Sequence, residues 1–134
     1  MAGDISNCDI LVVDDEESFR WLISEEIQER FPNARLQIAK DGVEGYELAL
    51  KFRPRIVWTC IRMPRMDGLE MIKLIRQNPG LKNTKILVFT GYGNEKVKNL
   101  ALESEADVVL SKGGSESFKE ALSAIVGWMK HEKD

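Results

Sequence analysis

A chain of 134 residues, 43% hydrophobic and 31% charged, is sized for one globular domain with a sizeable core. Its net charge of −3 leaves no basic excess to neutralise phosphates, which excludes a dedicated nucleic-acid binder. Apolar runs no longer than a strand exclude a membrane span, and two cysteines, Cys8 and Cys60, do not make a disulfide framework.

The start Met1-Ala2-Gly3-Asp4 lacks the charged and apolar regions of a signal peptide. The expectation is a cytoplasmic protein with residues 1–134 as a single domain and flexible ends at 1–7 and 132–134. In chain order, Ile10-Leu11-Val12-Val13 reads as a strand ending in Asp14-Asp15. Phe19, Ile23 and Ile27 then recur at helical spacing until Phe31-Pro32 stops them. Leu36-Gln37-Ile38 alternates as a half-exposed edge strand would. Asp41-Gly42-Val43-Glu44 has the spacing of a capping box and opens a helix with Val43, Tyr46 and Leu50 on one face.

Ile56-Val57-Trp58 is the next strand, with Cys60 at its carboxyl end. Asp67-Gly68-Leu69-Glu70 repeats the capping spacing and starts a helix with Leu69, Ile72 and Ile75 inward, stopped by Asn78-Pro79-Gly80. Ile86-Leu87-Val88-Phe89 is the most continuous apolar run, as in a strand covered on both faces. A helix over roughly 94–104 turns Val97, Leu100 and Ala101 inward. Val108-Val109-Leu110 is the last strand, and Ser115 caps a helix with Phe118, Leu122, Ile125 and Met129 on its apolar face. Five strands alternating with five helices argue a parallel sheet with helices on both faces, joined by right-handed crossovers.

Such a sheet gathers its strand ends on one rim, where α/β proteins place ligands. Asp14 and Asp15, Cys60, Thr90 and Lys112 all fall there. Paired carboxylates suit a hard cation such as Mg²⁺. A lysine supplies a point charge for phosphate oxygens, and a threonine hydroxyl supplies a donor. Together these are the groups for phosphoryl transfer by positioning and charge neutralisation.

In these residues the chain resembles the receiver domain of two-component response regulators over nearly its whole length. The resemblance rests on Asp14-Asp15, on Ile61-Arg62-Met63-Pro64 with Met66-Asp67-Gly68, on Thr90-Gly91 and on Ser111-Lys112. It implies a flavodoxin-like (βα)5 fold: a three-layer sandwich whose parallel five-stranded sheet runs in the order 2-1-3-4-5. It further implies Asp14, Asp15 and the backbone carbonyl of Arg62 as Mg²⁺ ligands, with Thr90 as the switch hydroxyl and Lys112 as the phosphate-contacting lysine. The implied partners are a histidine kinase or another two-component protein, with a homodimer through the face of the fourth helix, fifth strand and fifth helix as a further option. The implied role is a signalling module and not an enzyme. No output domain is visible in the sequence.

The match breaks where the family's phosphoacceptor aspartate falls on Cys60. A thiol cannot form an aspartyl phosphate, and its soft sulfur replaces an oxygen ligand of Mg²⁺, which is expected to bind more weakly. The family's aromatic ahead of the lysine falls on Val109, and the proline after the lysine on Gly113, so the usual coupled threonine–aromatic movement and cis bond are not expected. Trp58 and Thr59 are also unusual in a central strand. Three readings of Cys60 stay open: natural divergence to a pseudo-receiver, an engineered replacement of the acceptor, and a redox-sensing thiol. Val109 and Gly113 favour the first.

Other features have plainer readings. Asp14-Asp15 alone could be a helix cap, and Asp67 reads as a cap in preference to a ligand. Cys8, about five strand residues at about 3.3 Å each from Cys60, is out of disulfide reach and reads as a small buried hydrophobe. Arg53, Arg55, Arg62 and Arg65 form a basic cluster, read as solvated surface before partner contact. Trp21 and Trp128 sit beside apolar stripes, and His131 reads as inert.

Overall fold

A computed structural model describes residues 8–91 and 94–130. The expectations for 1–7, His131 and 132–134 lie outside the described residues. The elements are β1 (Ile10–Val13), α1 (Glu17–Arg30), β2 (Leu36–Ala39), α2 (Gly42–Phe52), β3 (Ile56–Thr59), α3 (Gly68–Gln77), a 3-10 turn (Pro79–Leu81), β4 (Lys85–Thr90), α4 (Glu95–Glu103), β5 (Val108–Ser111) and α5 (Ser115–Lys130). The sheet is parallel throughout, in the order β2-β1-β3-β4-β5. The flavodoxin-like arrangement expected from the sequence is therefore the one observed.

Strand alternation divides the core in two, because successive side chains point to opposite faces. Leu11, Val13, Val57, Ile86, Val88 and Val109 face α2, α3 and α4, where Met71, Ile72, Ile75 and Ala101 meet them. Ile10, Val12, Ile56, Trp58, Leu87 and Phe89 face α1 and α5, against Ile23, Ile27, Leu122 and Ile125. Trp58 is fully buried and packs edge-on against Phe89 at 5.6 Å and tilted against Phe118 at 5.9 Å between ring centroids. This aromatic set accounts for the unusual Trp58: the indole fills the layer between β3 and α5.

Several helix readings need correction. Leu50 and Leu100 are 42% and 41% exposed. The buried face of α2 is made by Gly42, Gly45 and Ala49, because the helix lies so close to its neighbours that a Cβ on Gly45 would come within 2.7 Å of Met71 Sδ and 3.0 Å of a Val13 methyl. Small residues carry that contact, and a count of large apolar residues misses it. The same holds for Ala101 on α4, which is buried while Leu100 is not. On the edge strand, by contrast, Ile38 is 50% exposed, in keeping with the half-exposed strand expected there.

The capping readings mostly stand. Asp67 closes a reciprocal capping box with Glu70 at the start of α3. Asp41 accepts from the Glu44 amide, but Glu44 reaches back to the Lys40 amide, so that box is open. Ser115 is the first residue of α5 and not the one before it. No peptide bond among the described residues is cis.

Candidate functional site at the carboxyl rim

β1 and β3 are neighbours in register, Val13 opposite Thr59, so the residues that follow them meet. The Cys60 amide still donates to the Val13 carbonyl at 3.1 Å, which places Cys60 beside Asp14. The β4–β5 pair ends with Thr90 opposite Ser111, and the Lys112 amide donates to the Thr90 carbonyl at 2.7 Å. Residues separated by as many as 98 positions thus share one rim. Gly68 fixes the loop after β3: its amide donates to the Ile61 carbonyl at 2.6 Å, and an added Cβ would collide with the Cys60 carbonyl oxygen.

The polar network centres on Asp14, which is 1% exposed. Its Oδ1 accepts from the Glu16 amide at 2.9 Å and its Oδ2 from Lys112 Nζ at 3.0 Å. The ammonium also donates to Glu16 Oε1 at 3.3 Å and sits 3.9 Å from the centre of the Phe19 ring. Arg20 donates to the Asp14 backbone carbonyl at 2.8 Å. Neither Asp14 nor Asp15 is the residue that caps α1, because that position is Glu16. The cap alternative for the acidic pair is therefore set aside.

Cys60 is 4% exposed. Its Sγ lies 3.8 Å from Asp15 Oδ1 and 3.8 Å from the Arg62 backbone carbonyl. Asp14, Asp15 and Cys60 each bring one ligand atom into a group no more than 4.8 Å apart. An open cleft of about 490 Å³ lies over them, lined by Asp15, Cys60, Arg62, Thr90 and Lys112 among others. All the rim residues expected from the sequence are brought together. Asp14 holds the floor and does not line the opening.

Burial dominates the electrostatics. It pushes the Cys60 thiol up to about 12, with the Asp14 charge acting in the same direction. Burial also raises the Asp14 carboxyl, by more than the Glu16 amide and Lys112 lower it. Burial alone would lower the Lys112 ammonium, but the hydrogen bond and charge of Asp14 outweigh it and raise it. A thiol held in this state is a poor nucleophile near neutral pH, so the redox-sensing reading is not favoured.

Three residues went unrecognised as members of the site. Glu16 shares the lysine, Phe19 lies under it, and Arg20 holds the Asp14 carbonyl. A third consecutive acid after Asp14-Asp15 was the available signal for Glu16. The four arginines do not form one cluster. Arg53 and Arg55 line a cavity of about 270 Å³ at the opposite end of the sheet with Trp128, Arg65 pairs with Asp41 at 2.9 Å, and Arg62 alone lines the rim cleft. Trp21 is 64% exposed. Both cysteines are free. No helix among the described residues is long and apolar enough to cross a membrane.

Mg²⁺ takes oxygen ligands at short, near-octahedral distances. Asp14 and Asp15 offer the carboxylates that Mg²⁺ takes, while the Cys60 thiol beside them is too soft to serve as a further ligand, so the set is a weaker one for Mg²⁺.

The family model described as the response regulator receiver domain matches residues 10–123. A probable chemotaxis protein CheY of Rhizobium etli is 28% identical over 122 residues, covering 90% of this chain and 94% of that protein. The protein-glutamate methylesterase/protein-glutamine glutaminase 3 of Vibrio cholerae is 31% identical over 106 residues, which is 79% of this chain but 29% of that protein. Among solved structures, the N-terminal domain of an uncharacterized protein from Wolinella succinogenes superposes with a TM-score of 0.80 at 27% identity, covering 95% of this chain and 99% of that one. The chemotaxis response regulator CheY4 of Vibrio cholerae superposes with a TM-score of 0.78 at 28% identity, covering 88% and 98%.

Proposed function

This chain belongs to the response regulator receiver family, and from that premise we propose that it is a receiver whose phosphoacceptor position is occupied by Cys60, so that it signals by protein contact without accepting a phosphoryl group there. Receiver domains are signalling modules that work with histidine kinases and other two-component proteins, and the multidomain relatives carry their enzymatic activities beside the receiver. The observation that carries the reading is the intact frame around residue 60. Asp14, Asp15, Thr90 and Lys112, taken in this reading as acidic pair, switch hydroxyl and lysine, gather at one rim around a buried thiol.

Two further observations support a module held in one state. Lys112 already has anionic partners in Asp14 and Glu16, so its charge is met without a phosphoryl oxygen. The position of the usual moving aromatic is Val109, 8% exposed and part of the core. A side chain of that size has no ring to swing between inner and outer positions. Partner contact, with a kinase, another two-component protein or a second copy, would use the α4–β5–α5 face, where Leu100 and Leu102 are 41% and 47% exposed. No step of this reading passes through Mg²⁺.

The test is incubation with a small acyl-phosphate donor and Mg²⁺, on this chain and on Cys60→Asp. The expected result is labelling of Cys60→Asp alone, on residue 60. Labelling of residue 60 in the unsubstituted chain would overturn the claim that it accepts no phosphoryl group there. Failure of both chains would show that the frame itself has diverged.

A further inference from the structure

The basic residues at the amino end of the sheet take no part in the rim. We propose that the cavity they line is a binding site for a small oxyanion carried on a planar ring, that is, a phosphate or carboxylate on an aromatic group. The cavity lies at the far end of the strands from Cys60, so it is independent of the signalling reading. Its volume of about 270 Å³ is at the small end for ligand pockets and suits one ring with its anionic group.

Three chain segments build it. The Lys85 amide donates to the Arg55 carbonyl at 2.9 Å, and Thr84 Oγ1 donates to the Pro54 carbonyl at 2.8 Å. The starts of β3 and β4 are thereby fixed side by side. Arg55 Nη2 donates to the Met129 carbonyl at 3.3 Å, which holds the last turn of α5, and with it Trp128, against these strand starts. The Arg53 guanidinium lies over the 3-10 turn, its Cζ 3.8 Å from where a Cβ on Gly80 would sit.

Charge and shape point to the same ligand. Among the described residues that line the cavity, Arg53, Arg55 and Lys85 are cations and none is an acid, in a chain whose net charge is −3. Asp9 pairs with Arg55 at 3.3 Å, but it also serves Arg35 at 3.5 Å, so one carboxylate is set against two guanidiniums. Guanidinium forks match the paired oxygens of carboxylate and phosphate. The half-buried Trp128 indole adds a flat apolar wall for a ring. The backbone gives an independent sign. Arg53 ends α2 in the left-handed region, with φ 48, where glycine is the usual residue because it has no side chain to strain. Strain kept at a residue whose side chain lines a cavity marks that side chain as the reason for keeping it.

The experiment follows backbone amide and indole N–H resonances of the isotope-labelled chain during titration with phenyl phosphate, benzoate, inorganic phosphate and phenol, at constant pH and ionic strength. Phenyl phosphate or benzoate should shift the Arg53, Arg55, Lys85 and Trp128 resonances saturably with a Kd of about 1 mM, and the tighter of the two identifies the oxyanion. Inorganic phosphate and phenol each hold half of the ligand and should bind at least about fivefold more weakly. Arg53→Gly should weaken binding at least about fivefold without lowering the urea midpoint, because glycine takes the left-handed conformation freely. Lys85→Gln should weaken it to a similar extent, and Trp128→Leu should reduce the ring-bearing anion to the affinity of inorganic phosphate. Four results would each overturn the proposal: no saturation with either ring-bearing anion by about 20 mM, equal affinity for inorganic phosphate, shifts confined to Thr90 and Lys112 at the rim, or undiminished binding in both Arg53→Gly and Lys85→Gln. None of these readouts involves residue 60, so this claim and the receiver reading fail separately.

Discussion

Lys112→Met isolates the buried charge pair on which the rim is built. The substitution keeps an unbranched chain over Phe19 and removes only the ammonium. Asp14, 1% exposed, is then left with the Glu16 amide as its side-chain partner on Oδ1. Breaking one side of a buried pair costs about 3–5 kcal/mol, and the 12% exposure of the Lys112 side chain places this pair at the lower end, about 3 kcal/mol. Asp14 has an escape: it can take up a proton. Burial already raises its carboxyl above the ordinary 3.8, and loss of the lysine raises it further. A carboxyl raised in the folded state favours folding at low pH, and that advantage disappears as pH rises through the folded value. The cost of Lys112→Met should therefore be small at about pH 4 and complete at about pH 7.

The assay is urea unfolding with chelator and reductant present, followed by tryptophan fluorescence, in which buried Trp58 reports the core. The slope against urea should be unchanged while the midpoint falls. On an Asp14→Asn background the same lysine substitution should cost less than about 1 kcal/mol, because no carboxylate remains to be stranded. Equal losses at both pH values and on both backgrounds would refute the reasoning. They would mean that the ammonium contributes through its contact with the Phe19 ring, 3.9 Å away, and not through its pairing with Asp14.

Other outcomes follow from the same contacts. In a Cys8→Ser background with chelator, alkylation of Cys60 should quicken with pH and show no plateau up to about pH 10, because burial and the Asp14 charge push its thiol up to about 12. A plateau below about pH 9 would show a thiolate that this pocket does not permit. Gly68→Ala should destabilise the chain by about 2–3 kcal/mol, as overpacking against backbone does, since its Cβ meets the Cys60 carbonyl. Chemical denaturation measures the cost, and a change below about 0.5 kcal/mol would mean that the loop after β3 yields freely.

The architecture and the gathering of the rim were legible in the sequence for a simple reason. Strand and helix periods differ, five alternations appear, and a parallel sheet puts every strand end on one edge. Asp14, Cys60, Thr90 and Lys112 could therefore be placed together without coordinates. That residue 60 is a cysteine is likewise a matter of sequence alone.

Which apolar residues are inside was decided by tertiary structure. Leu50 and Leu100 belong to apolar stripes yet face outward, because α2 and α4 approach their neighbours through Gly45, Ala49 and Ala101. How close two elements pack depends on both surfaces at once, and one helix's periodicity records only its own. The electrostatic state of the rim was settled in the same way. Adjacent acids and a distant lysine in the sequence leave open who pairs with whom. The fold buries Asp14, gives Lys112 to it and to Glu16, and leaves Asp15 at the surface beside the sulfur. The residue types put acids, a thiol, a hydroxyl and a lysine on one rim, while burial and 3–4 Å distances determine that the lysine is already engaged with Asp14 and Glu16 and that the thiol is pushed up to about 12.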